Sequence, residues 1–220
     1  MANRSWSLAG PLTGMVFVAL VFAGMSIAGS PDVEPSDSSD AIARTFADRS
    51  DATTLGSLMT LLGLAFFFPF LAYLRHQLQQ AEGDKGWLAA MAYGGGLVTA
   101  AMFLLILSVQ MATASVSADV DQVVGKVFVV YMWSWISVMA PPMMALTFGT
   151  SLCIARYGAL PRWTGWLGFL ATVTLLAPWM GAPIALGWIG LLSVVLLVQE
   201  LRGERATAPE PGNAPRLVPE

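Results

Sequence analysis

Between Lys126 and Arg156 the sequence carries no charged residue, and the segment VVGKVFVVYMWSWISVMAPPMMALTFGTSLCIAR, Val123 to Arg156, holds a Pro141-Pro142 pair near its middle. A run this long and this apolar has one stable setting. About 20 residues rising about 1.5 Å each cross a bilayer's hydrocarbon layer, and a helix satisfies its backbone groups internally where no water can. Each proline, however, lacks the N–H that a helix interior needs. The segment therefore reads as a membrane-spanning helix with a break in it. The rest of the chain agrees, because 56% of its 220 residues are hydrophobic and 11% charged. That is too little polar surface to cover a soluble globule.

The same composition excludes several functions. A net charge of -3 leaves no basic footprint for nucleic acid. The single Cys153 rules out an internal disulfide or a cysteine-built metal site. With His76 as the one histidine, this chain alone cannot hold a bis-histidine haem between helices. No cofactor or metal is expected.

Apolar runs place spans at about 8–28, 53–74, 87–110, 125–154, 163–177 and 183–199. The expected fold is an all-α polytopic membrane bundle of six transmembrane helices over residues 1–199. The first run ends at a small-residue pattern, Ala28 and Ser30, that also suits signal-peptide cleavage. It is longer than a signal peptide's apolar region, so an uncleaved span is the better reading. Residues 30–52 form an acidic external loop, in which Ile42 and Phe46 fall on one helical face. A surface amphipathic helix and a solvated loop both fit there. Pro69, inside the cluster Phe66, Phe67, Phe68 and Phe70, should bend the second span. Gly94, Gly95 and Gly96 suit close approach of a neighbouring backbone. The last two runs, parted by the corner Ala177 to Pro183, are short for spans but tolerable with local thinning. Residues 200–220 read as a disordered cytoplasmic tail. No internal repeat supports an inverted-repeat transporter.

Charge fixes the expected orientation. Arg4, then Arg75 and Lys85, Arg156 and Arg162, and Arg202 with Arg205 mark the N-terminus, the second and fourth links and the C-terminus. The first and third links carry Asp32, Glu34, Asp37, Asp40, Asp48, Asp51, Asp119 and Asp121 against Arg44, Arg49 and Lys126. By the positive-inside rule both termini are cytoplasmic in a multi-pass cell-membrane protein. Because Arg162 and Arg202 share a side, residues 163–198 cross twice or re-enter as a hairpin. Two crossings are expected.

The span interiors lack Asp, Glu, Lys and Arg, which argues against a pump, an ion path or a voltage sensor. The sequence also has no HExxH and no paired carboxylates within a span. An enzyme would need Ser137, Thr147, Thr99 and Gln110 to converge, so a non-enzyme is expected. The candidate cavity lies beside the proline pair and comprises Ser137, Met139, Pro141, Pro142, Met143, Met144 and Thr147. Missing donors and adaptable methionines can make a pocket or hinge there, and a static packing kink is the plainer alternative. Arg75 and His76, at the end of the second span, are candidate lipid- or quinone-headgroup contacts, with a solvated histidine as the plain reading. Gly10 with Gly14, Gly165 with Gly168, and Gly187 with Gly190 mark packing faces. Trp6, Trp87, Trp163, Trp166, Trp179 and Trp188 suit an interfacial belt.

The acidic external loop, LRHQLQQAEG after the second span and YGALPRWTGWLG entering the fifth give the chain a layout that resembles small bacterial six-span membrane proteins of unknown function. The resemblance implies a six-span protein of the bacterial inner membrane and assigns no residue a role. The leading expectation is a non-enzymatic accessory or structural subunit. It would pack against membrane lipids and against partner membrane proteins or copies of itself. The alternative is a binder or carrier of an apolar small molecule, a lipid or quinone, beside the Pro-Pro pair.

Overall fold

The computed structural model describes residues 2–29, 38–115 and 122–203. The acids Asp32, Glu34, Asp37, Asp119 and Asp121 and the tail from 204 lie outside the described residues. Every regular element among the described residues is helical: α1 Ala2–Ala28, α2 Ser39–Asp48, α3 Ser50–Glu82, α4 Trp87–Ser115, α5 Gln122–Tyr157, α6 Arg162–Thr174 and α7 Pro178–Arg202. Five of these, α1, α3, α4, α5 and α7, contain stretches long and apolar enough to cross a membrane. That is the build of an integral membrane protein.

The helix ends depart from the hydropathy boundaries for local reasons. α3 runs past Leu74 to Glu82 because Leu71, Leu74 and Leu78 continue one buried stripe at helical spacing. α7 begins at Pro178, inside the expected corner, since a proline in the first turn gives up no helical bond. The corner itself shrinks to 175–177. α6 is the exception among the long elements. Its 13 residues, about 20 Å of helix, fall short of a roughly 30 Å hydrocarbon layer.

α1, α3, α4, α5, α6 and α7 each pack on the next and α7 returns to α1, which closes a ring. α5 also reaches α3 and α7 across it. Both described ends of the chain, α1's start and α7's finish, fall at one end of the bundle, where Tyr73 of α3 donates to Glu200 of α7 at 2.8 Å. Glycine sets the spacing of the ring. A Cβ added to Gly24 of α1 would lie 2.5 Å from the Gly56 carbonyl oxygen of α3, and one added to Gly56 would lie 2.5 Å from that of Gly24. Between α4 and α5, a Cβ on Gly95 would lie 2.6 Å from the Pro142 carbonyl oxygen and from the Leu146 nitrogen. Phe17 of α1 stacks on Phe67 of α3 with ring centroids 4.3 Å apart. α2 lies at the end of the bundle away from the termini, where Ile42 is buried with Val129 of α5.

At the termini end, Gly83 and Gly86 take the positive φ values of 72° and 54° that turn α3 into α4. The buried carboxylate of Glu82 then accepts from the backbone N–H groups of Leu88 at 3.1 Å and Ala89 at 3.0 Å. Each of its two oxygens satisfies one of α4's orphan donors, at the positive end of that helix's dipole.

Thermal unfolding in detergent tests both the glycine contacts and the Glu82 cap. Gly56→Ala should destabilise by about 1–3 kcal/mol, since helix backbones rather than mobile side chains stand in the way. Gly187→Ala, whose Cβ meets open space, should be neutral or slightly stabilising. Glu82→Ala should lose about 1–2 kcal/mol by uncapping α4, with Glu82→Gln losing less.

Candidate functional site

Across α5 the helix continues through Pro141 and Pro142 from Gln122 to Tyr157. The pair deletes two donors, leaving the bonds to the carbonyls of Ser137 and Val138 unmade, while the neighbouring turns hold the helix together. Both of those residues are exposed, so the freed carbonyls belong to the bundle's outer face. Ser134 donates instead to the Val130 carbonyl at 2.9 Å, and Thr147 to that of Met143 at 3.1 Å.

α6 leaves space beside the half of α5 that precedes Pro141. Thr172 of α6 donates to the Thr147 hydroxyl of α5 at 2.8 Å, and α6 ends two residues later. The part of α5 preceding Pro141 therefore has no α6 alongside it. Gly181 lets the first turn of α7 fold tightly back on the α6–α7 turn, because its missing Cβ would collide with the Thr174 carbonyl and Leu175.

A cavity of about 330 Å³ fills the resulting gap, at the end of the bundle away from the termini. α4 and α5 supply one wall, with Phe103 edge-on to Trp135 at a centroid distance of 5.4 Å. The Trp135 indole N–H donates to the Met102 carbonyl at 3.2 Å and holds that ring in place. α1 and α7 supply the opposite wall through Gly24, Met25, Ala182 and Pro183. Ile106, Met139 and Leu186 are each at most 2% exposed and form the floor, whereas Met25 and Trp179, 48% and 52% exposed, stand at the rim. Among the described residues no charged side chain lines the cavity. Its polar groups come mainly from α3 and α4, where Ser57 Oγ donates to Gln110 Oε1 at 3.4 Å.

Of the residues the sequence singles out around the proline pair, Met139 lines this cavity. Met143 is buried in the main core and Met144 half-buried against it, Ser137 and Pro141 are exposed, and Pro142 is half-buried against Gly95. Thr147 is buried in the α5–α6 contact. Thr99, which donates to the Gly95 carbonyl at 2.8 Å, stands apart from Gln110, so these four polar groups do not converge. Arg75 lies over the Tyr93 ring at 4.9 Å and His76 pairs with Gln80 at 2.9 Å, both at the termini end and remote from the cavity. Ser57, Phe103, Ile106 and Ala182 escape the sequence reading. A cavity shared by five helices leaves no spacing in any one of them.

Among the described residues no cluster of His, Cys, Asp and Glu can hold a metal ion. No family model matches the chain, and no curated protein or solved structure matches it either.

If the cavity is independent of the proline pair, Pro141→Ala should restore the bond to the Ser137 carbonyl. Thermal stability should then rise by about 1 kcal/mol or more, with the accessibility of Trp135 to an apolar quencher unchanged. A change in that accessibility would tie the pair to the cavity.

Proposed function

We propose that the chain is a non-enzymatic membrane protein that binds an apolar small molecule, a lipid or a quinone, in the cavity between α1, α3, α4, α5 and α7. One observation carries this reading. The cavity is apolar, with no charged side chain among its described lining residues, its floor is buried in the bundle, and its rim opens at Met25 and Trp179. Its volume sits at the small end of the roughly 300–1,000 Å³ typical of ligand sites.

The accessory-subunit reading drew on the small-residue faces. Gly10, Gly14, Gly165 and Gly168 pack against this chain's own Tyr73, Phe70, Ile154 and Trp188, so these positions do not call for a second subunit. Gly94 and Gly187 face open space, which is where a partner or lipid would meet the bundle.

In this proposal the chain crosses the membrane six times, with α6 and α7 as two crossings. The shortness of α6 is met by local thinning and by Trp163, Trp166 and Trp179, all exposed. Arg75, Lys85, Arg156, Arg162 and Arg202 gather at the termini end, which supports cytoplasmic termini and a cavity in the outer leaflet.

Two experiments test the reading. Mass spectrometry of the gently purified full chain should find one apolar species enriched over bulk membrane lipid, and Ala182→Phe, which fills the cavity from α7, should lose it. An identical lipid mixture from both proteins counts against a binding site. For orientation, the buried Cys153 is silent to a membrane-impermeant thiol reagent, so Ala47→Cys and Asp84→Cys report the two ends of the bundle. Ala47→Cys should label in intact cells and Asp84→Cys only after permeabilisation, and the reverse pattern inverts the topology.

A further inference from the structure

The cavity's polar side chains are unequal in what they have left to offer. Thr60 donates to the Gly56 carbonyl at 2.9 Å and the Trp135 N–H to the Met102 carbonyl at 3.2 Å, so both are committed to backbone. Among the described residues the Ser57 and Gln110 side chains bond only to each other, at 3.4 Å. An ordinary O–H···O bond is about 2.7–2.8 Å, so this pair is held apart rather than closed. A carboxamide carries two N–H donors besides its acceptor oxygen. The contact with Ser57 uses the oxygen, and among the described residues the Gln110 Nε2 has no hydrogen-bond partner. Ser57 is 2% exposed, so the pair's hydroxyl sits inside the bundle rather than on its surface.

We infer that Gln110 and Ser57 form a neutral carbonyl-recognition site within the cavity, selecting an uncharged apolar molecule with a ketone or ester oxygen. This rests on the cavity being a ligand site. The Gln110 amide donates to the ligand oxygen, and the Ser57 hydroxyl turns from its stretched contact with Gln110 to donate to the same oxygen. The apolar remainder lies against Ile106, Met139 and Leu186. A carboxylate or phosphate is selected against, because among the described residues no cationic side chain lines the cavity to balance a desolvated charge. A simple alkane is also selected against, since it leaves the amide donors unpaired. The shared chemistry, a carbonyl on an apolar body, comes from either a quinone or an acyl ester.

Tryptophan fluorescence of the full chain in detergent micelles tests this, because Trp135 and Trp179 both line the cavity. Four probes are titrated: a decyl benzoquinone, a monoacylglycerol brominated on its acyl chain, the matching brominated fatty acid, and a bromoalkane of the same length. The expected result is saturable quenching by at least one of the two carbonyl probes, tighter than by the ionised acid or the alkane. Whichever of the two binds more tightly identifies the source. Gln110→Leu, close in size to glutamine, should weaken the carbonyl probe about five-fold and leave the bromoalkane unchanged, and Ser57→Ala should act in the same direction. Circular dichroism and melting temperature establish that each variant is folded. If saturable quenching persists while folded Gln110→Leu and Ser57→Ala both bind the carbonyl probe as the parent does, the carbonyl-recognition inference is overturned and the cavity reading stands. If no probe quenches saturably in the folded parent, the cavity reading itself fails.

Discussion

Helices that carry no charge into lipid have little to hold them together except close packing, since lipid tails are as apolar as the helices themselves. Here that packing depends on backbone approaching backbone. Gly24 meets Gly56 between α1 and α3, and Gly95 meets Pro142 and Leu146 between α4 and α5. These contacts fix the interaxial distances, and the aromatic stack of Phe17 on Phe67 fills the space they define. Polar groups contribute at the ends, where Glu82 caps α4 and Tyr73 reaches Glu200. Between the ends, hydroxyls mostly return to their own helix, as Thr60, Thr99 and Ser193 do.

The cavity follows from a mismatch of lengths. α5 is 36 residues long and α6 is 13. α6 leaves α5 at the level of Thr147, and α7 begins after a three-residue turn. The half of α5 that precedes Pro141 is then flanked by α4 on one side and faces α1 and α7 across a gap that their side chains leave open. Two tryptophans and a phenylalanine narrow the gap, and Ser57 with Gln110 gives it one polar point. This arrangement is what the proposed binding of an uncharged apolar molecule rests on.

Much of the helical layout was legible because lipid imposes a simple rule: a run without charge is a helix. The boundaries were less so. Hydropathy stops at Leu74, while α3 continues because RHQLQQAE keeps Leu78 on the buried face and delivers Glu82 to α4. The proline pair drew attention as a break, yet α5 runs through it, since two missing donors on an exposed face leave the rest of the ladder intact. Met139 was legible as a cavity residue and its neighbours Ser137 and Thr147 were not separable from it, because rotation about the helix decides which of them turns inward. Ser57 was invisible. A serine in an apolar run reads as a packing residue until the helix opposite it is known, and Gln110 lies 53 positions away.

The central claim is that the space bounded by Gly24, Ser57, Gln110, Met139 and Ala182 holds a guest molecule. A density map of the full chain in lipid nanodiscs tests it directly. The account predicts elongated density on the floor of Ile106, Met139 and Leu186, with one end within hydrogen-bonding distance of the Gln110 amide. A gap closed by this chain's own side chains, with α7 drawn onto α5 and no density between them, would contradict it.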